Sequence, residues 1–193
     1  MLTLIKHKDE VFDMFLSNKT EVENQLDKKI KRIRLDRGGE YVSFNDYCVK
    51  KGIIHEVTPP YSPESNGVDE RKNRILKEIM NAMLISSNAH DNLWDEALLT
   101  ECFLQNRIPD KKTGKTPYEL WKGFQPNLKY LRVWGCLAKV MLSDPKKRKI
   151  GSKTSDCLFL GYAEHSATYR FLVLNSEIIE CNTIVETKNV EFF

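Results

Sequence analysis

Two carboxylates stand where chemistry could be done. Asp36 follows a short apolar and basic run, residues 30–35, and precedes the turn signal Gly38-Gly39. Glu70 comes 34 residues later, in what reads as the first turn of a helix. In an α/β layer, ligands gather at the carboxyl ends of strands, so a strand-end Asp and a first-turn Glu can converge there. Convergent carboxylates supply the hard oxygens that Mg²⁺ and Mn²⁺ prefer. Two such ions can activate an attacking hydroxyl and stabilise a leaving oxygen in phosphoryl transfer. On spacing alone, two solvated surface carboxylates would look the same.

The helix that carries Glu70 sorts its side chains by type. With Glu70 at zero and about 100° per residue, Ile75, Ile79 and Met83 fall near the opposite side, and Leu76 lies beside them. Arg74, Lys77 and Asn81 fall close to Glu70. One face is expected to pack on a core, and the other presents a carboxylate with two cations.

The elements that must position these groups alternate. Leu2-Thr3-Leu4-Ile5 reads as the end of a strand, and Phe12, Phe15, Val22 and Leu26 recur at helical spacing over 9–26. A basic strand is expected over 28–35, a helix over 41–51 stopped by Gly52, and a strand over 53–57 ended by Pro59-Pro60. A loop, 61–67, leads into a helix over 68–86. A further helix, 92–107, is expected to bury Leu93, Trp94, Ala97, Leu98, Leu104 and Ile108 before Pro109. The β-α-β-α-β order is that of an α/β layer fold. Residues 111–117 are rich in turn formers. From Val133 the texture changes to short β-like runs, 136–142, 157–162, 169–174, 178–185 and 190–193, as in a small antiparallel barrel or sheet.

Composition narrows the class. The chain has 193 residues, 41% hydrophobic and 30% charged, which is enough apolar material for packed cores. Thirty Lys and Arg against 27 Asp and Glu leave a net charge of +3, so any argument for an anionic partner rests on local clusters. No apolar run approaches the ~18 residues of a membrane span, and the N-terminus lacks a signal-peptide pattern. Five scattered cysteines (48, 102, 136, 157 and 181) form no C-x-x-C or Cys/His zinc spacing and read as reduced, mostly buried thiols. His7, His55, His90 and His165 lack ligand-like neighbours, and Trp94, Trp121 and Trp134 read as packing residues. Lys28, Lys29, Lys31, Arg32 and Arg34 would be split between two sheet faces. Lys146 to Lys149 fit a solvated loop, a nucleic-acid contact or a nuclear-import signal.

The wording around the two carboxylates is more specific than their spacing. Arg34-Leu35-Asp36-Arg37-Gly38-Gly39-Glu40-Tyr41, followed by Thr58-Pro59-Pro60-Tyr61-Ser62-Pro63-Glu64-Ser65-Asn66-Gly67-Val68-Asp69-Glu70-Arg71-Lys72-Asn73, closely resembles the integrase core of copia-type LTR retrotransposons and, more broadly, retroviral integrases. Gly135-Cys136-Leu137-Ala138 and Cys157-Leu158-Phe159-Leu160-Gly161-Tyr162 are similar to the SH3-like barrel that follows the core in copia-type polyproteins. The resemblance implies an α/β, truncated RNase H-like integrase core over 1–110, a linker over 111–132 and a small all-β SH3-like domain over 133–193. It implies Mg²⁺ or Mn²⁺ held by a D, D, E triad, in which Asp36 matches the second Asp and Glu70 the Glu. Arg74 and Lys77 would contact DNA, and Tyr61 and Asn66 match positions on the loop that positions the DNA end. The implied partners are LTR ends, target DNA and further copies of the chain, with no membrane. The implied location is intracellular, in the nucleus and a cytoplasmic virus-like particle.

The departures carry expectations of their own. No residue matches the family's first Asp or its zinc-binding domain, and the chain opens inside the second core strand. Asp9, Glu10 and Asp13 fall in a helix start and do not substitute by position. Asp69 stands where the family usually has a small apolar residue. The expectation is a fragment that is inactive as given and whose α/β half is metastable. The rival readings are a non-catalytic nucleic-acid-binding relic and a binding module recruited by a host.

Overall fold

The computed structural model describes residues 3–35, 42–57, 63–142 and 151–193; within its helices the side chains of residues 42–43, 63–66 and 68–69 lie outside that description. Asp36, Tyr61 and the basic run 146–149 fall outside the described residues. The chain divides into two compact units, Met1–Arg74 and Ile75–Phe193.

In the first unit, helix α1 (Val11–Leu26) ends on Asp27, whose φ of 50° is the left-handed cap that breaks the helix. Glu23 secures the exit, accepting the Ile30 N–H at 2.8 Å while pairing with Lys19 at 2.6 Å. Strand β1 (Arg32–Leu35) and strand β2 (Ile54–Val57) pair in parallel, with Leu35 opposite Val57. Helix α2 (Val42–Lys51) lies between them in sequence, the usual crossover for a parallel pair. Phe12 and Phe15 of α1 meet Phe44 and Tyr47 of α2 with ring centroids 5.0–6.2 Å apart, and Phe44 and Cys48 are fully buried. Gly52, at a φ of 66°, turns the chain so that the Ile53 N–H reaches the Cys48 carbonyl.

Two expectations for this unit are corrected. Residues 3–5 are not in a strand, and Leu4 and Ile5 are largely exposed. A strand requires a ladder partner, and none of the described residues pairs with them. Helix α3 (Pro63–Ser87) begins at Pro63 rather than at 68, so much of the expected loop is helical. Proline suits the first helical turn, where its missing N–H has no intrahelical partner to lose.

The second unit is a helix-backed sheet. Strands β3 (Leu137–Met141), β4 (Thr154–Tyr162), β5 (Tyr169–Asn175), β6 (Ile184–Thr187) and β7 (Val190–Phe192) form an antiparallel sheet in the order β6-β5-β4-β3-β7. One face packs on itself through Ala138, Val140, Cys157, Phe159, Phe171 and Val173. The other meets the C-terminal half of α3 and helix α4 (Trp94–Gln105): Leu158 and Leu160 pack with Leu84, Leu93, Ala97 and Trp134. Helix α5 (Pro117–Lys122) is fixed by a capping box between Thr116 and Glu119.

Burial on the helices differs from the sequence expectation. Ile75 is exposed, and the inward stripe of α3 runs through Leu76, Met80, Met83 and Leu84. On α4, Trp94 and Ile108 beyond its end face solvent, whereas Glu96, Thr100 and Glu101 are buried with Ala97. Trp121 is also well exposed, so of the three tryptophans only Trp134 is a core residue. Glu96 and Thr100 occupy an inward helix face because the sheet opposite offers them a cation and a free carbonyl.

Candidate nucleic-acid interface and the helix that carries Glu70

The parallel pairing of β1 and β2 sends both chains out of the sheet at the same end. Leu35, the last residue of β1, is in register with Val57, the last of β2. Asp36 follows directly on β1, although its own placement is outside the described residues. The basic character of β1 is partly neutralised locally: Arg32 and Arg34 pair with Glu56 of β2 at 2.8 and 3.2 Å. Arg32 and Arg34 alternate with Ile33, so they share a face of the pair. This is the alternation expected of the run, which sets Arg32 and Arg34 on one face.

Glu70 lies on α3 and is exposed, as are Arg71, Lys72, Arg74 and Lys77. The spacings of four and seven from Glu70 bring Arg74 and Lys77 onto its stripe of the helix, as the sequence predicted. Asn66 is within the helical backbone of α3 rather than in a loop. The donor set proposed from the sequence is right in kind for Mg²⁺ or Mn²⁺, since a solvent-facing Glu70 offers hard oxygens. Among the described residues, no group of three or more His, Cys, Asp or Glu gathers in a way that could hold a metal ion. Of the predicted pair, only Glu70 lies among the described residues.

The buried polar groups lie elsewhere, and the sequence reading did not single them out. Glu96 of α4 is 6% exposed and accepts from Arg170 of β5 at 2.8 Å. Burial pushes the Glu96 carboxyl above its ordinary pKa, and the Arg170 guanidinium works against that rise. Arg170 Nε lies 3.5 Å from Glu186, an ion-pair distance without hydrogen-bond geometry. A bulge between Phe159 and Gly161 takes Leu160 out of the β4–β5 ladder. Its carbonyl accepts instead from Thr100 Oγ1 at 2.7 Å and Trp134 Nε1 at 2.8 Å. Glu101 is 3% exposed, burial raises its pKa, and its Oε1 has no hydrogen-bond partner among the described residues. The one signal available beforehand was acidic and hydroxyl residues at 96, 100 and 101 on the same side as Ala97.

Aromatic rings continue the packing. Phe103 of α4 stacks on Tyr162 of β4 at 4.1 Å and 12°, and Arg107 lies 3.4 Å from the Phe103 centroid. Arg107 also donates to Tyr130 Oη at 3.1 Å. The five thiols are free; Cys48 and Cys157 are buried, and Cys181 is exposed. No helix among the described residues is long and apolar enough to cross a membrane.

Comparison with known proteins adds the relationships. The family model described as "Retroviral polymerase SH3-like domain" matches residues 136–193. The "Retrovirus-related Pol polyprotein from transposon TNT 1-94" of Nicotiana tabacum is 36% identical over 170 residues, covering 86% of this chain and 13% of that protein. The corresponding polyprotein from transposon RE1 of Arabidopsis thaliana is 32% identical over 173 residues, covering 89% of this chain and 12% of that one. The chain thus spans about an eighth of the length of these relatives. Two solved structures align with the chain over part of its length. The HTLV-2 integrase catalytic core domain in complex with magnesium gives a TM-score of 0.44 at 21% identity, covering 59% of this chain and 69% of that one. A simian T-cell lymphotropic virus intasome in complex with the PP2A regulatory subunit B56 gamma gives 0.46 at 19%, covering 98% and 66%. Scores this low leave the sequence relatives as the ground for kinship.

Proposed function

The chain belongs to the copia-type family of retrotransposon Pol polyproteins, and from that premise we propose that it is the part of an integrase that supplies two of three metal-binding carboxylates and a DNA-contacting helix. The reaction class is 3′-end processing and strand transfer. A water or a DNA 3′-hydroxyl oxygen bonds to phosphorus, the bridging P–O bond breaks, and the departing oxygen takes a proton to become the new hydroxyl. Divalent ions, when bound, would supply charge neutralisation at the attacking and leaving oxygens. Asp36 and Glu70 are the residues of this chain that would hold them.

The remaining roles are those the family resemblance implies, and charge supports two of them. Arg74 and Lys77 would neutralise DNA phosphates beside Glu70. Tyr61 and Asn66 would shape the approach of the DNA end. The observation that carries this reading is the Glu70 stripe of α3: one carboxylate and two cations, all solvent-facing, on a continuous 25-residue helix. The proposed partners are LTR ends, target DNA and further copies of the chain. The proposed location is the nucleus and a cytoplasmic virus-like particle. By ancestry the chain divides into a core segment over 1–110, a linker over 111–132 and an SH3-like segment over 133–193.

Two carboxylates alone would hold at most one ion weakly, so a polypeptide of these 193 residues should be inactive unless a first carboxylate is supplied from an upstream segment. The test is divalent-ion-dependent strand transfer on a labelled LTR-end oligonucleotide. The 193-residue chain is compared with one extended upstream by the corresponding segment of a relative. Activity confined to the extended chain, and abolished there by Glu70→Gln, is the expected result. Activity in the short chain would mean that another group completes the site. Silence in both, with salt-sensitive DNA binding retained, would favour the non-catalytic binding reading.

A further inference from the structure

We infer that the helix-facing side of the five-stranded sheet is an obligatory interface whose partner is the α3–α4 helix pair of the same chain, so that the cooperative folding unit is residues 75–193 rather than the 136–193 of the SH3-like family model. The inference does not rest on the catalytic reading.

The argument starts from strand β4. A sheet with one face in water alternates apolar and polar residues, whereas a strand covered on both faces reads as a continuous apolar run. Cys157, Leu158, Phe159 and Leu160 are all 9% exposed or less. Cys157 and Phe159 point into the sheet's own core, and Leu158 and Leu160 point at the helices. Removal of the helices would expose the second pair, together with Trp134. A domain of about 60 residues is marginal even with its core intact.

Specific contacts lock the same face. The bulge carbonyl of Leu160 takes a proton donor from α4, and Arg170 of β5 takes its carboxylate from α4. Two glycines permit backbone contact across the interface. Gly161, at a φ of 146°, faces Thr100, and a Cβ there would collide with Thr100 Oγ1. Gly135, at a φ of 75°, faces Ser87 at the end of α3, and a Cβ there would collide with the Ser87 Cβ. A side chain at either glycine would force the layers apart. Because this face is filled, a nucleic acid or a protein partner has only the other surfaces of the sheet to use. A host that recruited the sheet would have to keep the helices with it.

The test is native-state hydrogen exchange on the full 193-residue chain in increasing denaturant. The amides of α4 and of β4 should open together, as one cooperative unit. Strand amides that stay protected after α4 has exchanged would overturn the inference. A second measurement covers the case in which exchange is too fast to resolve. A recognition sequence for a site-specific protease is placed between Lys111 and Lys112, where residues 111–115 are exposed, and the purified chain is cut. The two pieces should co-elute in gel filtration with unchanged tryptophan emission, and Gly161→Val should make them separate. A C-terminal piece that elutes alone and still melts cooperatively would overturn the inference.

Discussion

Replacing Arg170 with Met should destabilise the second unit far more than a surface substitution would, because it leaves Glu96 buried without its cation. The charges meet at 2.8 Å, and the side chains are 8% and 23% exposed. At an effective dielectric of about 20, unit charges ~4 Å apart attract by roughly 4 kcal/mol. The partial exposure of Arg170 lowers that, while removal of one partner of a buried pair typically costs about 3–5 kcal/mol. A loss of about 3 kcal/mol is expected, which is a urea midpoint lower by about 1.5–2 M for a domain of this size. Trp94, Trp121 and Trp134 all fall in residues 75–193, so tryptophan emission follows this unit alone. The pH dependence has a definite sign. Burial holds the folded-state pKa of Glu96 above its unfolded value. Stability tied to this carboxyl is therefore full below the unfolded pKa and falls as pH rises through the folded one. Loss of the guanidinium widens that window upward, so Arg170→Met should be most damaging near pH 7 and less so near pH 5. Adding Glu96→Gln to Arg170→Met should restore part of the loss at pH 7. A midpoint shift under about 0.5 M, or a double variant no more stable than the single one, would refute the reasoning.

Three further outcomes are expected. Gly161→Ala combines a positive-φ penalty with a collision at Thr100 and should cost about 2–4 kcal/mol, read as a melting temperature lower by about 10 °C or more. In the folded chain at pH 8, iodoacetamide should modify Cys181 well before Cys157, which is fully buried and whose thiol is pushed up to about 11; mass spectrometry after brief labelling gives the order. Arg74→Ala with Lys77→Ala should weaken binding to duplex DNA and reduce the slope of log affinity against log salt by about 2, measured by fluorescence anisotropy; an unchanged slope would remove these two residues from the interface.

Much of the architecture was legible because local signals agreed with it. Gly52 marked the start of β2, and turn residues between 142 and 190 separated strands that the structure pairs in one sheet. The run expected over 178–185 is a strand only over Ile184–Thr187, because residues 176–183 form bends and turns instead. The Glu70 stripe was legible because a helix converts spacing directly into a face. What escaped were features made by distant partners. Glu96 and Thr100 went unremarked because their partners, Arg170 and the Leu160 carbonyl, lie 74 and 60 residues away. Trp94 and Ile108 looked like core because they are large and apolar, yet the inward positions next to the Leu160 bulge suit small or polar groups. The helical start at Pro63 escaped because proline and serine resemble a loop, although proline is compatible with a first turn. Convergence of Asp36 with Glu70 is expected from the strand-end and first-turn positions and from the motif words around them.

That convergence is the central claim, and iron-mediated cleavage addresses it most directly. Fe²⁺ takes the place of Mg²⁺ on the 193-residue chain, ascorbate and peroxide generate radicals at the bound ion, and mass spectrometry locates the backbone cuts. Cuts should cluster around residues 36 and 70 together, be suppressed by excess Mg²⁺, and disappear in both Asp36→Asn and Glu70→Gln. Cuts at only one of the two positions, or a pattern unchanged by Glu70→Gln, would contradict the account.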